Sequence, residues 1–363
     1  MNNTILRAAI VGCGGIANNK HLPALVKQEN LKIIAFCDIV EERAVKARAK
    51  FGKGDEYITT DYHKVIEDKD VDVVYVLTPN RSHSFITVDA LNAGKHVMCE
   101  KPMAINSAEA KKMLDAAKAT GKKLSIGYQN RHRPDSLWLK AQAEDGIFGD
   151  IYYAKATALR RRMVPTWGVF LNEEEQGGGP LIDIGTHSLD LTLWILDNYK
   201  PKYCVGTTYH KLNDLADEDQ GNAWGPWDRS KFTVEDSAFG FVVMENGATI
   251  FLESSWAINM LETKEAITAF CGTKAGADMN DGVRINGVSH GAQYRFIPKL
   301  TADSAAYNDG KAGESPADRE ARLFIEAILN DTEPFVTPEQ AYTVTRILEG
   351  IYTSAATGEI YRF

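Results

Sequence analysis

At 363 residues the chain is too long for one ordinary core and suits two domains. With 44% hydrophobic and 25% charged residues it has a soluble globular composition, and a formal net charge of -8 without a basic stripe speaks against nucleic acid and anionic membrane surfaces as partners. The five cysteines (Cys13, Cys37, Cys99, Cys204, Cys271) are scattered and never spaced CxxC, which argues against a disulfide framework or a structural zinc site and for a reducing compartment. The apolar strand entered at Leu6 leaves no room for a secretory leader, and no uncharged run reaches membrane-spanning length, so a cytoplasmic location and no metal are expected.

Over residues 1–127, short apolar runs alternate with amphipathic stretches, the pattern of a parallel sheet with crossover helices. Strands are predicted at Arg7–Val11, Lys32–Cys37, Val73–Leu77, His96–Cys99 and Leu124–Gly127. Helices are predicted at Glu41–Phe51, Ser82–Ala93 and Ser107–Ala119, the last started by an Asn106/Glu109 capping arrangement. Pro23 should kink or restart the first crossover helix. From residue 128 to 363 the rhythm changes to long strand-like segments at Ile151–Arg161, Tyr203–His210, Ser237–Met244, Thr249–Trp256 and Glu265–Cys271, with a hairpin turn at Glu245-Asn246-Gly247. That predicts a second α/β domain with a large, mostly antiparallel, open-faced sheet. Stretches Lys211–Lys231 and Ser289–Pro316 read as irregular, and helices at Ala317–Asn330 and Pro338–Ala356 close the chain. All six tryptophans lie in this second half.

Directly after the first strand, Gly12-Cys13-Gly14-Gly15-Ile16-Ala17 is a GxGxxA match opening a helix. The first glycine permits the tight turn, the second lets backbone approach a pyrophosphate, and the small third residue lets helix pack on strand. Free amides at the helix start face the phosphates. Asp38 ends the second strand, where a carboxylate accepts hydrogen bonds from an adenosine ribose and repels a 2′-phosphate, favouring NAD over NADP. Arg43 nearby could soften that preference. In a sheet ordered 3-2-1-4-5-6, Thr78-Pro79-Asn80 and His83 line the cofactor cleft, although turn and helix capping explain Asn80 and His83 equally well.

The fifth strand ends in Glu100-Lys101-Pro102, placing an ammonium at the carboxyl edge of the sheet, where it can donate to a substrate oxygen. In Gly177-Gly178-Gly179-Pro180-Leu181-Ile182-Asp183-Ile184-Gly185-Thr186-His187, Pro180 suits the first helical position, and Asp183 and His187, four apart, share one face of the opening turns. A neutral imidazole there can take a hydroxyl proton, with the carboxylate orienting it.

This ordered set of motifs resembles the glucose-fructose oxidoreductase / inositol dehydrogenase / rhizopine catabolism (Gfo/Idh/MocA) family over essentially the whole chain, with Val234-Glu235-Asp236 and the final helix also similar to its second domain. The resemblance implies an NAD-binding Rossmann domain at 1–127 and a substrate-binding and oligomerisation domain at 128–363, whose final helix packs back toward the first. It implies Lys101, Asp183 and His187 as catalytic trio, and Gly12, Gly14, Gly15, Ile16, Ala17, Asp38, Arg43, Thr78, Pro79, Asn80, His83, Glu100, Lys101, Gln129 and Trp167 around NAD. Tyr128, Asn130, Arg162 and Thr186 join the trio on the substrate side. The implied activity is hydride transfer between NAD and a secondary alcohol carbon of a sugar, glycoside or cyclitol. Arg160-Arg161-Arg162 and Trp167-Gly168 look closest to members that oxidise glycosides at C3. An NAD-dependent glycosidase and a non-catalytic NAD-sensing regulator are the competing readings. A homo-oligomer paired through the second sheet is expected.

Overall fold

The structure is a computed structural model that describes residues 4–300 and 314–363. The chain divides into two compact units, one of Met1–Gln129 with Glu314–Tyr342 and another of Asn130–Gly313 with Thr343–Phe363.

The first unit carries six parallel strands: β1 (Leu6–Val11), β2 (Leu31–Cys37), β3 (Tyr57–Thr59), β4 (Val73–Val76), β5 (His96–Cys99) and β6 (Leu124–Ile126). Their order is β3-β2-β1-β4-β5-β6, so the cofactor cleft of such a sheet falls where the order reverses, at the carboxyl ends of β1 and β4. Between the strands run α1 (Leu22–Leu25), α2 (Glu41–Phe51), α3 (Tyr62–Glu67), α4 (Asn80–Asn92) and α5 (Ser107–Thr120). The edge strand β3 and the short α3 are additions to the elements expected from the sequence. The Asn106 cap is present, its side chain accepting from the Glu109 amide at 2.8 Å. Pro23 does restart its helix: a π-helical turn at Ala17–His21 gives way to α1, with the proline in the first turn.

The second unit holds α6 (Pro134–Glu144), β7 (Ile151–Leu159), the short α7 (Glu173–Gln176), α8 (Thr186–Leu196), β8 (Pro201–Tyr209), the short α9 (Asp217–Gln220), and strands β9 (Ser237–Met244), β10 (Thr249–Ser255), β11 (Ile267–Gly272), β12 (Ala275–Asp278), β13 (Arg284–Ser289), β14 (Ala292–Phe296) and β15 (Tyr361–Arg362). Nine strands form one sheet in the order β14-β13-β12-β11-β7-β10-β9-β8-β15. Only the β7–β10 pair among these is parallel. Gly247 takes φ +89° in the β9–β10 turn, where the left-handed region favours glycine. The irregular reading of Ser289–Pro316 is overturned for Ala292–Phe296, which pairs with β13; a two-residue turn after a polar strand gave no alternation to read. The part of that stretch at 301–313 lies outside the described residues.

Period-two alternation splits this sheet into a covered and an open face. Ala154, Ala156, Ala158, Val242, Ile250 and Leu252 are buried on one side, where α8 packs on β7 and β11. On the other, Phe241 and Phe251 lie 5.0 Å apart and Tyr153 and Phe251 5.8 Å apart, with Val205, Tyr209 and Phe251 exposed. Helices α10 (Pro316–Leu329) and α11 (Pro338–Thr357) come next in the chain, and β15 ends it on the edge of the sheet beside β8. Helix α10 packs Phe324 and Ile325 into the core under β1 and β4, with Ile10, Leu22 and Tyr75. Among the described residues no helix is long and apolar enough to cross a membrane.

Candidate active site

At the carboxyl end of β1, Gly12 has φ +95°, and a Cβ there would stand 2.5 Å from the Leu77 carbonyl oxygen. The loop therefore needs glycine twice over, for its dihedral and for its approach to β4. At Gly14 and Gly15 a Cβ would meet nothing within 4 Å, so their backbone opens onto free space. Asn18 pins this turn from the helix side, its Nδ2 donating to the carbonyls of Cys13 and Gly14 at 2.8 Å each. Ile16 is exposed and Ala17 buried against the sheet. Asp38 is buried at the end of β2 and fixed in place: its carboxylate accepts the Cys13 amide and the Val40 amide at 2.8 and 2.9 Å. The exposed Arg43 guanidinium reaches it at 3.9 Å. An open amide-lined loop beside an oriented carboxylate fits the pyrophosphate and ribose of NAD.

Thr78, exposed Pro79 and Asn80 carry β4 into α4. His83 is fully buried one turn on, its imidazole spanning the Pro102 carbonyl at 2.8 Å and the Thr78 carbonyl at 2.9 Å. It thus ties the loop after β4 to the loop after β5, where Lys101 sits half-buried. Burial lowers the His83 pKa, against the pull of those two carbonyls.

Glu100 faces inward from the same loop. Its carboxylate accepts from Lys20 Nζ at 2.8 Å, meets His21 Nε2 at 2.6 Å and takes the Lys101 amide at 3.0 Å. Lys20 also reaches Glu320 of α10 at 2.9 Å. Burial works against the Glu100 anion, but Lys20 and His21 hold its pKa well below the ordinary carboxylate range. Burial likewise opposes the Lys20 cation, which Glu100 and Glu320 nonetheless push up to about 12. Sequence reasoning placed Glu100 but missed Lys20, His21 and Glu320, because the partners lie 79 and 80 residues from Glu100, or on the far helix α10.

In the second unit Pro180 leads into a π-helical turn, Leu181–Gly185, that runs on into α8. Asp183 lies in that turn and His187 in the first turn of α8, both 8% exposed, with Thr186 fully buried between them. Trp256 Nε1 donates to Asp183 Oδ2 at 3.0 Å, fixing the carboxylate. The glycine stretch ahead of this turn is held by Glu235, whose carboxylate accepts the Gly179 and Leu181 amides at 2.8 and 3.1 Å and the Tyr352 hydroxyl at 2.8 Å. A Cβ at Gly178 would stand 2.1 Å from that hydroxyl. Burial pushes the Glu235 pKa up to about 7, against these three donors. Neither Trp256 nor Tyr352 carried a local signal.

Tyr128 is fully buried, with Gln129 and Asn130 half-buried after it. The next residue, Arg131, is buried and paired with buried Asp190 of α8, Nε to Oδ2 at 2.9 Å, so Asn130 is tied to the helix that carries His187. Arg162 donates to Asn259 at 2.7 Å, and Trp167 stacks edge-on with Phe170.

The glycine loop and oriented acid of the first unit, and the Asp/His pair opening a helix of the second, are the features expected of an NAD-dependent oxidoreductase. The chain belongs to the Gfo/Idh/MocA oxidoreductase family. Residues 6–128 match the oxidoreductase family's NAD-binding Rossmann fold, and residues 137–277 match the GFO/IDH/MocA C-terminal domain. It is 34% identical over 358 residues to D-glucoside 3-dehydrogenase of Escherichia coli (strain K12), covering 99% of this chain and 97% of that one. With inositol 2-dehydrogenase of Salmonella typhimurium (strain LT2) it shares 32% over 199 residues, 54% of this chain and 56% of the relative. Among solved structures, levoglucosan dehydrogenase in complex with NADH and levoglucosan superimposes with a TM-score of 0.85 at 21% identity, over 99% of both chains. The aldose-aldose oxidoreductase of Caulobacter crescentus, complexed with glycerol, gives 0.77 at 24%, over 99% of this chain and 100% of the other. These structural likenesses show the fold.

Proposed function

We propose that this enzyme oxidises a secondary ring alcohol of a sugar, and specifically C3 of a glycoside to the 3-keto product. The observation that carries the reading is the Asp183/His187 pair: two nearly buried titratable groups one turn apart, with the carboxylate oriented by Trp256. The glycoside preference draws on full-length similarity to D-glucoside 3-dehydrogenase. NAD, when bound, supplies the hydride acceptor.

The chain's own residues do the rest. His187 takes the hydroxyl proton as the alcohol is oxidised, and Asp183 orients the imidazole and stabilises its charged form. Lys101 is assigned as a hydrogen-bond donor to the substrate, and is itself held by Glu100 through its backbone amide and by the His83 bridge to Pro102. Tyr128, Asn130, Arg162 and Thr186 shape the substrate side; Gln129 serves the cofactor side.

The test is NADH absorbance at 340 nm with methyl and phenyl glucosides, disaccharides, levoglucosan and inositols, with the product located by NMR. A 3-keto glycoside is expected. Lys101→Ala and His187→Ala should each lose roughly 10²–10⁴-fold in turnover yet still bind NAD in a fluorescence titration; near-normal turnover in either sinks that role. Aglycone release would replace the reading with a glycosidase, and tight NAD binding without any turnover with a sensor.

The open face of the nine-stranded sheet, with Phe241, Phe251, Tyr153 and Tyr209 presented together, is the surface on which we place a second copy of the chain in a cytoplasmic homo-oligomer. Light scattering should show a dimer or larger assembly that Phe251→Glu shifts toward monomer. A monomeric parent chain would refute the pairing.

A further inference from the structure

The stretch 211–231 folds back onto the segment that follows β7. Asn222 accepts from the Val164 amide at 2.8 Å and donates to the Val164 carbonyl at 3.0 Å; the Ala223 amide donates to the Arg162 carbonyl at 3.0 Å, and the Thr166 hydroxyl to the Trp224 carbonyl at 2.9 Å. This pinning sets Trp224 against Trp167, ring centroids 4.9 Å apart and planes at 76°. Both indoles face outward, 52% exposed at Trp167 and 37% at Trp224. Nearby tryptophans are treated otherwise: Trp227 is buried with its Nε1 donating to the Asn213 carbonyl, and Trp256 is fully buried. Two large apolar rings held in the open by four hydrogen bonds are an arranged surface, since indole area left in water forgoes substantial burial energy.

That corner connects to the candidate catalytic carboxylate through Arg160. The guanidinium lies 5.4 Å over the Trp224 ring and is gripped by both oxygens of Glu265 at 2.6 Å. Burial disfavours the Arg160 cation, and the carboxylates of Glu265 and then Asp183 outweigh it, so Asp183 is within its electrostatic reach. The backbone agrees: Arg160 and Met163 amides donate to the carbonyls of Ser255 and Trp256 at 2.8 and 2.9 Å, and Trp256 is the residue that holds Asp183. Arg160 is thus common to the indole corner, through Trp224, and to the surroundings of Asp183.

Building on the proposed dehydrogenase reading, we propose that Trp167 and Trp224 form a subsite for the second ring of a glycoside, the sugar or aryl group attached through the anomeric oxygen. One indole takes the apolar C–H face of that ring or the flat face of an aryl group, and the perpendicular indole bounds its edge. Arg160, over the Trp224 ring, borders the corner with guanidinium N–H donors for ring hydroxyls or the glycosidic oxygen. The substrate is then a two-ring glycoside in preference to a free monosaccharide or a cyclitol.

The experiment compares kcat/KM for glucose, inositol, methyl glucoside, phenyl glucoside and cellobiose in the wild type, Trp224→Leu, Trp224→Ala and Trp167→Ala, alongside intrinsic-fluorescence titrations that need no turnover. Leucine keeps apolar bulk at the pinned loop but removes the flat ring, which guards against loss of fold. The wild type should favour the two-ring compounds, and each variant should lower the two-ring to one-ring kcat/KM ratio at least tenfold, through KM. A ratio held within twofold in all three variants, or a wild type that favours inositol or free glucose, overturns the subsite while leaving the dehydrogenase reading intact. Two-ring binding that Trp224→Leu abolishes, with no sugar oxidised, keeps the subsite and removes the dehydrogenase. Neither binding nor oxidation removes both.

Discussion

Glu100 and Glu235 are both buried carboxylates holding a loop next to a candidate catalytic residue, and their surroundings are opposite. Glu100 sits between cations, Lys20 and His21, which keep it ionised despite burial. Glu235 is met by two backbone amides and a tyrosine hydroxyl, and burial there raises its pKa to about 7. One loop is held by charge paired with charge, the other by dipoles around a carboxyl that titrates near neutrality. Desolvation is common to both sites; whether a full positive charge faces the carboxylate decides the outcome.

The sharpest break in that comparison is Lys20→Met. It removes the cation shared by Glu100 and Glu320, and stranding buried charge should cost about 3–5 kcal/mol in urea unfolding. A cost under 1 kcal/mol would mean the ion network contributes little. A smaller and more informative effect comes from placing glutamine at each site in turn. Glu235 has a folded pKa raised above its unfolded 4.5, so the stability it lends is full below pH 4.5 and is lost as pH rises through about 7. The wild type should therefore lose up to about 3 kcal/mol across that window, and Glu235→Gln should flatten the loss. Glu100 has a folded pKa depressed below 4.5, so its contribution is present above 4.5 and lost as pH falls through the lower value. Glu100→Gln should accordingly be destabilised at neutral pH, with the deficit closing in acid. Parallel profiles for the two variants would erase the distinction.

The asymmetry also marks what could be read from the sequence. Signals confined to a few neighbouring residues were legible: the glycine turn at Gly12, the Asn106 cap, the restart at Pro23, the four-residue spacing of Asp183 and His187. The strand order taken with the glycine motif is the one found, even though β3, three residues long at the sheet edge, left no periodic trace. Long-range pairings had no such signature. Glu100 was placed through its motif, but Lys20 and Glu320 come from other elements, and nothing near Gly179 announces Glu235 more than fifty residues later. The indole corner was hidden for the same reason: Trp167 stood out in its motif, while its partner Trp224 lay in a stretch whose polar composition reads as surface.

The salt bridge from Lys20 to Glu320 has a consequence for how the protein is made. The nucleotide-binding unit draws its last helix from Glu314–Tyr342, so on the ribosome the stretch up to Gln129 emerges with Lys20 lacking one of its two carboxylates and its core lacking Phe324 and Ile325. At about 5–20 residues per second the missing piece arrives roughly ten to forty seconds later. Until then the apolar surface that Phe324 and Ile325 cover in the finished unit has no cover from α10, which makes the stretch up to Gln129 a poor candidate for expression as an isolated fragment.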